Sequence, residues 1–468
     1  MASPMENSYF YLNDTEKLDE VLLSLGYDED RAQSVINAFK SRAHETRASG
    51  YGDLKNKAIG IIGYGAMGKM YAKQLSQSSW MVNVCDLPEN YETNKKEIGL
   101  YNKSGLITLF KDYIEVIKNS YFIMFCTESN VIGSFFEAVE DKSIFENKII
   151  SGQSSSKTIE VITLLKHTQK LNTDIITLHS MHGPNVPSKG QSLALIPVRL
   201  NNVDNLHFVD SFTDCFESDK KFLTFIKHDK TTANTQGLTH CAFINMGKAW
   251  YLMGKYPWLY DNNNTNPLEV FKVNLTFRIY GNPPHVYSNL AMMNPYSINA
   301  IKVFSKNCTL INKMITDGSH VELFNTLISS YNNVFQNATS LSVDDTEYAE
   351  SGENTHLSLL ALLKTWSDCG IDPISDKALG TPLYKLLLIS VLRLFSNKLL
   401  LSIATKSTKY SLDDQEYVKS VEAYSTMISS QDRKSFNKSF QTVVEFFKGD
   451  DMEVVKQKAQ KMILELNE

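Results

Sequence analysis

The segment Leu-His-Ser-Met-His-Gly-Pro at 178–184 places His179 and His182 directly after a β-type run, at a strand's carboxyl end. A histidine there is suited to take a proton from a hydroxyl as hydride leaves the carbon that bears it. The HxxH spacing also raises metal binding, but no glutamate or third ligand stands in register, so no metal is expected. Turn-capping is the plain alternative for both imidazoles. Ser151-Gly-Gln-Ser-Ser-Ser-Lys157 follows another apolar run, and its hydroxyls either orient a histidine or cap a helix. In the segment 228–240, Gln236 and His240 are four apart and so share a helical face. Arg278 sits among apolar neighbours in Asn-Leu-Thr-Phe-Arg-Ile-Tyr; a buried guanidinium needs a carboxylate, from the protein or from a ligand.

A second constellation binds rather than reacts. Residues 58–68 read Ala-Ile-Gly-Ile-Ile-Gly-Tyr-Gly-Ala-Met-Gly, an apolar strand running into Gly63, Tyr64, Gly65, Ala66, Met67 and Gly68 before a helix. Gly63 permits a tight turn, Gly65 lets backbone approach a pyrophosphate, and Gly68 lets helix and strand pack closely. The helix N-terminus offers its N–H groups to phosphate. The next strand ends at Asp86, the position that ordinarily holds a ribose 2′-hydroxyl and favours NAD. Leu87 and Pro88 follow it, and the nearest cations are Lys95 and Lys96. Thr127, in Cys-Thr-Glu-Ser-Asn after a further strand, falls where an open α/β sheet presents its ligand crevice.

Elements that hold these residues follow from periodicity. Short β-rich runs at 58–62, 81–85, 122–126, 148–150, 175–178 and 193–198 alternate with helical stretches, which indicates βαβ units and a mainly parallel sheet. After Phe222 the strand signal fades into helical patterns at 231–252, 298–315, 321–335, 356–369 and 382–404, with a polar loop expected at 337–354. The expected architecture is a leader of one helical pattern (residues 1–55), a Rossmann-like dinucleotide-binding domain (56–210) and an all-α substrate and dimerisation domain (211–468).

Bulk properties exclude other classes. Length alone argues for two principal domains. Forty-seven basic against 52 acidic side chains give a net charge of −5 without a basic tract, so nucleic acid is not an expected partner. No secretory signal is visible. The apolar stretch 382–404 is interrupted by Lys385, Arg393 and Lys398 and reads as a helix buried in protein, so no membrane is expected. Six scattered cysteines without CxxC spacing suit reduced thiols in a cytoplasmic protein.

Taken together, the glycine-rich strand–turn, the segments 178–184 and 228–240, Arg278-Ile-Tyr, His-Leu-Ser-Leu-Leu at 356–360 and Gly-Ile-Asp-Pro at 370–373 resemble prephenate dehydrogenase of the fungal, NADP-linked type. The resemblance spans Lys57 to the C-terminal helices. It implies oxidative decarboxylation of prephenate to 4-hydroxyphenylpyruvate, with NADP as oxidant, in a homodimer built through the helical domain. By resemblance, His179 accepts the proton of the ring hydroxyl and Ser155 orients that histidine. His240, Arg278 and Gln236 bind substrate, with the arginine gripping a carboxylate and lying in the cleft that holds His179. Two positions depart from the family pattern: Ser180 stands where bacterial relatives carry proline, and the Leu87-Pro88 pair lacks an arginine for the NADP phosphate. NAD therefore stays open beside NADP. Rival expectations are an arogenate dehydrogenase, a non-catalytic nucleotide-sensing Rossmann protein, and a β-hydroxyacid dehydrogenase whose catalytic lysine would be Lys230.

Overall fold

The computed structural model describes residues 15–46, 54–184, 186–255, 267–336, 356–406, 412–448, 454 and 457. The chain divides into two compact units between Asp229 and Lys230.

The first unit opens with α1 (Thr15–Ser24) and α2 (Glu29–Thr46). It then alternates β1 (Ile59–Ile62), α3 (Ala66–Gln77), β2 (Val82–Cys85), α4 (Tyr91–Tyr101), β3 (Ile107–Leu109), α5 (Tyr113–Lys118), β4 (Phe122–Phe125), α6 (Ile132–Ala138), β5 (Ile149–Gly152) and α7 (Thr158–Thr168). After these come β6 (Asp174–Ser180), β7 (Ser192–Arg199), α8 (Asp204–Thr213) and β8 (Asp219–Phe222). The eight strands lie in the order β3-β2-β1-β4-β5-β6-β7-β8. Every neighbouring pair is parallel except β6–β7. Strand β1 (Ile-Gly-Ile-Ile) and β4 (Phe-Ile-Met-Phe) are buried throughout, the continuous apolar run that a parallel strand covered on both faces requires. The strand order reverses between β1 and β4, so the ligand crevice of this fold lies beyond their carboxyl ends.

Four expectations change. The leader is two helices rather than one pattern, separated at Gly26 (φ 77°), and it belongs to the first unit. Its Phe39 joins the sheet core and stacks obliquely on Phe222, with ring centroids 4.9 Å apart. Strands β3 and β8 are additions at the two sheet edges, where short, polar segments leave little apolar pattern. The division falls after Asp229 rather than after residue 210, because β8 pairs with β7 and the start of the next helix is hydrogen-bonded into the first unit.

That helix, α9 (Phe225–Thr232), runs into a π-helical turn (Ala233–Leu238) and then α10 (Thr239–Leu252). The second unit continues with α11 (Pro267–Tyr280), α12 (Pro284–Met292), α13 (Pro295–Thr316), α14 (His320–Phe335), α15 (Leu357–Asp368) and α16 (Pro373–Asp376). It ends with α17 (Pro382–Ser396), α18 (Lys398–Lys406), α19 (Leu412–Ser429) and α20 (Arg433–Phe446). The described part of this unit after α9 is helical, as its periodicity indicates. Asn294 caps α13 by accepting from the N–H groups of Tyr296 and Ser297. The apolar stretch 382–404 is two helices bent by 93° at Asn397, not one, and among the described residues no single helix is long and apolar enough to cross a membrane. The loop expected at 337–354 lies outside the described residues.

Candidate active site

The glycine turn has the geometry that its sequence calls for. Gly63 adopts φ 100°, and a Cβ there would stand 2.7 Å from the carbonyl oxygen of Cys126. A Cβ on Gly68 would stand 2.1 Å from the Gly63 oxygen, so α3 can start this close to β1 only without a side chain. Gly65 is different: it is exposed, nothing lies within 4 Å of its Cβ position, and it caps α3 with no side-chain hydrogen bond. The N–H groups of the first helical turn, with exposed Ala66 and half-buried Met67, thus border open space suited to a phosphate.

The carboxylate of Asp86 accepts from the backbone N–H of Tyr64 (3.1 Å) and of Leu87 (2.7 Å) and from the amide of Asn90 (3.4 Å). Its negative charge is therefore shared with three donors of its own chain. Tyr64 is buried beneath the turn, its hydroxyl paired with that of Tyr101. Thr127 follows β4 at the switch point, and its methyl carbon lies 3.0 Å from the Cβ position of Gly63.

Beyond the neighbouring strands lies a buried chain of polar groups. His179, on β6, is 5% exposed, and its Nδ1 is 2.8 Å from Nε2 of His228 on α9. Nδ1 of His228 is in turn 2.8 Å from Oδ1 of Asp229. Asp229 accepts from the backbone N–H groups of Lys157 (2.8 Å) and Thr158 (2.7 Å) and from the Thr158 hydroxyl (2.7 Å). A carboxyl surrounded by this many donors has only acceptor character to offer, so it stands ionised.

The protonation pattern follows link by link. His228 donates Nδ1–H to Asp229, which leaves a lone pair on its Nε2. That lone pair can only receive, so His179 carries its proton on Nδ1 and leaves Nε2 basic. Among the described residues Nε2 of His179 has no hydrogen-bond partner. Burial, then the neighbouring His228, Lys157 and His182, push the His179 pKa well below its ordinary value, so the ring is neutral at pH 7.

The backbone at His179 is held from behind. Lys157, wholly buried, donates to Glu160 Oε1 (2.8 Å), to the carbonyl of Leu178 (2.6 Å) and to that of Gly152 (3.3 Å). Ser180, the departure from the bacterial pattern, places its hydroxyl 2.7 Å from that of Tyr71 on α3. Gln153, with its amide turned to satisfy both strands' groups, bridges the Leu178 carbonyl (3.2 Å) and the Ser180 N–H (2.9 Å).

Ser155 and His182 are less engaged. Ser155 is half-buried in the β5–α7 loop and makes no hydrogen bond to His179; the group orienting that imidazole is His228, which the sequence reading left without a role. His182 Nδ1 lies 3.0 Å from the carbonyl oxygen of Gly183, the turn-capping role.

The second unit holds the other three residues. Gln236 lies on the π-helical turn and His240 at the start of α10. The widened i→i+5 turn makes their four-residue spacing slightly less than one turn. The ring of His240 is 5.1 Å from that of Tyr287, its Nδ1 has no partner among the described residues, and burial, with Arg278 nearby, pushes its pKa down to about 3. Burial also draws the Arg278 guanidinium below its usual range, and among the described residues no carboxylate pairs with it. A small cavity there is lined by Gly237, His240, Ile244, Tyr287, Leu290 and Tyr424. A larger pocket of about 470 Å³ between the ends of α14, α15 and α16 has Asp372 as its one ionisable lining group, and Asp372 is spent capping α16.

Known proteins share this sequence along most of its length. A family model for a 6-phosphogluconate dehydrogenase C-terminal domain matches residues 237–468. A probable prephenate dehydrogenase [NADP(+)] of Schizosaccharomyces pombe is 34% identical over 409 residues, covering 83% of this chain and 93% of that protein. A prephenate dehydrogenase [NADP(+)] of Saccharomyces cerevisiae is 34% identical over 412 residues, covering 84% and 90%. The solved prephenate dehydrogenase of Aquifex aeolicus, in complex with hydroxyphenyl propionate and NAD+, is 18% identical with a TM-score of 0.43, covering 60% of this chain and 98% of that one.

Proposed function

The chain belongs to the prephenate dehydrogenase family, and we propose that it oxidatively decarboxylates prephenate to 4-hydroxyphenylpyruvate with NADP as the oxidant. The observation that carries this reading is the buried imidazole of His179, held neutral with Nε2 left as its basic atom by a chain that ends on an ionised carboxylate.

The turn at 63–68 fits a dinucleotide, since its one open position is Gly65 at an uncapped helix N-terminus. Gly63, Gly65, Ala66 and Met67 would hold the pyrophosphate, with Thr127 beside them and Asp86 toward the adenosine ribose. When bound, the nicotinamide accepts the hydride from the ring carbon that carries the hydroxyl.

His179 takes the hydroxyl proton on Nε2 and leaves a carbonyl oxygen on the ring. Loss of CO2 then returns the carboxyl bond's electron pair to the ring, which becomes aromatic. That gain drives the step, so the chain's task is to orient the substrate and move one proton. Arg278, with no protein carboxylate for company, is the proposed partner of a substrate carboxylate. His240 and Gln236 are its proposed neighbours in substrate binding, and Ser155 contacts the substrate or the nicotinamide.

The proposal extends to a cytoplasmic homodimer. Six cysteines, all free, suit a reducing compartment. Light scattering of the purified chain tests the dimer.

Initial rates with prephenate and with arogenate, each with NADP and with NAD, test the activity. NADPH formation from prephenate is the expected result. No reduced nicotinamide from either substrate with either cofactor would overturn the reading.

A further inference from the structure

The described geometry leaves His179 with a difficulty. An imidazolium at position 179 would be nearly out of contact with water. The groups facing it include Lys157, His182 and His228, each of which disfavours another positive charge there. Glu160 neutralises Lys157 by direct contact, the Cys126 thiol is pushed up to about 12 and stays neutral, and the remaining carboxylate in the cluster, Asp229, touches His228 and not His179. A base that must hold the proton alone on His179 is therefore weak. The nearest place where a positive charge meets a negative one is the ring of His228.

We infer that His228 is a positioning residue that also receives the proton, so that His179, His228 and Asp229 act as a two-imidazole relay. Resting on the prephenate reading above, the step balances as follows. The substrate O–H bond breaks and an N–H bond forms at Nε2 of His179. The Nδ1–H bond of His179 breaks and a new N–H bond forms at Nε2 of His228, 2.8 Å away. His228 is then an imidazolium whose Nδ1–H faces the ionised Asp229 at 2.8 Å, and His179 is neutral again with its proton on Nε2. Asp229 gains no proton, because the N–H groups of Lys157 and Thr158 and the Thr158 hydroxyl already occupy it. Once product leaves, the proton returns by the same two bonds to water.

Substitution His228→Gln separates orientation from proton acceptance. Glutamine can present an amide oxygen near the place of Nε2 and still accept from His179 Nδ1–H, but it cannot take the proton. Nitrogen-15 imidazole spectra of the full-length wild-type chain without substrate give a readout independent of activity. Both rings should be neutral at pH 7 with protons on Nδ1, and His179 should keep that tautomer in the glutamine variant. With prephenate and NADP, the variant's kcat should fall about 10²-fold, the lower end for a lost acid–base group. KM for prephenate should stay within about twofold of wild type on the same grounds. The acid limb of kcat should move to lower pH, because the charge can then rest only on the buried 179 ring.

An Nε2–H tautomer of His179 in the wild type would overturn the relay. So would a glutamine variant with wild-type kcat and an unmoved limb. A wild type that turns over no prephenate would instead overturn the activity, while the spectra would still decide the tautomer chain. Should the variant not fold, the wild-type spectra alone make the same decision.

Discussion

Replacing Lys157 with methionine isolates the ion pair that backs the catalytic strand. Methionine keeps most of the stem's length and apolar contact, so the change is chiefly the loss of one ammonium. Lys157 and Glu160 both have fully buried side chains, 2.8 Å apart. At an effective dielectric near 20, their attraction is about 6 kcal/mol before desolvation. Two further bonds, to the carbonyls of Leu178 and Gly152, go with it. The ammonium's own burial penalty is relieved, but the carboxylate's stays: Glu160 keeps only Ser154, through its N–H and its hydroxyl. Breaking such a pair from one side typically leaves a net loss of about 3–5 kcal/mol. For a unit of this size that corresponds to roughly 6–20 °C in Tm, at about 2–4 °C per kcal/mol. Urea unfolding of Lys157→Met, Glu160→Gln and the double variant forms the cycle that measures it. The double variant should be more stable than Lys157→Met alone, since no uncompensated buried charge remains. A single variant losing under about 1 kcal/mol, or a double variant no better than the single, would refute the reasoning. Because Nζ also anchors the carbonyl next to His179, the variant's kcat should fall along with its stability.

Other expectations follow from the same geometry. His179→Asn should lower kcat by about 10²–10⁴, the scale of one acid–base group, with little change in stability; near-wild-type turnover in steady-state assays would remove it from the chemistry. Gly65→Val should leave the unfolding midpoint unchanged, since its Cβ position is open, yet weaken dinucleotide binding measured by calorimetry. Gly68→Ala should reduce both, because its Cβ would collide with the backbone oxygen of Gly63. Acid should destabilise the fold: His179 and His240 have folded-state pKa values depressed below the ordinary 6.5, so the unfolded chain binds protons that the native state refuses. Stability from this source is complete above about pH 6.5 and falls below it by up to about 1.4 kcal/mol per pH unit per histidine, ending near pH 3 for His240. Urea midpoints between pH 7 and 5 should show that slope, and it should flatten in His179→Asn/His240→Asn.

What the sequence made legible depended on how local its cause was. The turn at 63–68 and the buried strands β1, β2 and β4 are imposed by neighbours in the chain: a glycine that must take φ 100°, an apolar run that must be covered on both faces. The edge strands are the opposite case. Asp-Lys-Lys-Phe in β8 carries charges because a sheet edge must not recruit another strand, so the property that makes it a good edge hides it from an apolar pattern. The apolar stretch 382–404 hid its break for a similar reason. Its apolar pattern continues across the bend, and the stop is a single extended residue, Asn397, whose side chain also receives the N–H of Leu400. His228 and Asp229 were in plain view as letters, but consecutive helical residues do not ordinarily face one another, so adjacency gave no reason to link them. Their link exists because the N–H groups of Lys157 and Thr158, at the start of α7, fix the carboxylate from across the unit. A site residue that reacts can thus be guessed from its type and its place at a strand end. The residue that gives it the right tautomer is found only once the fold has set which nitrogen faces which, and here that second residue decides whether the first can act as a base at all.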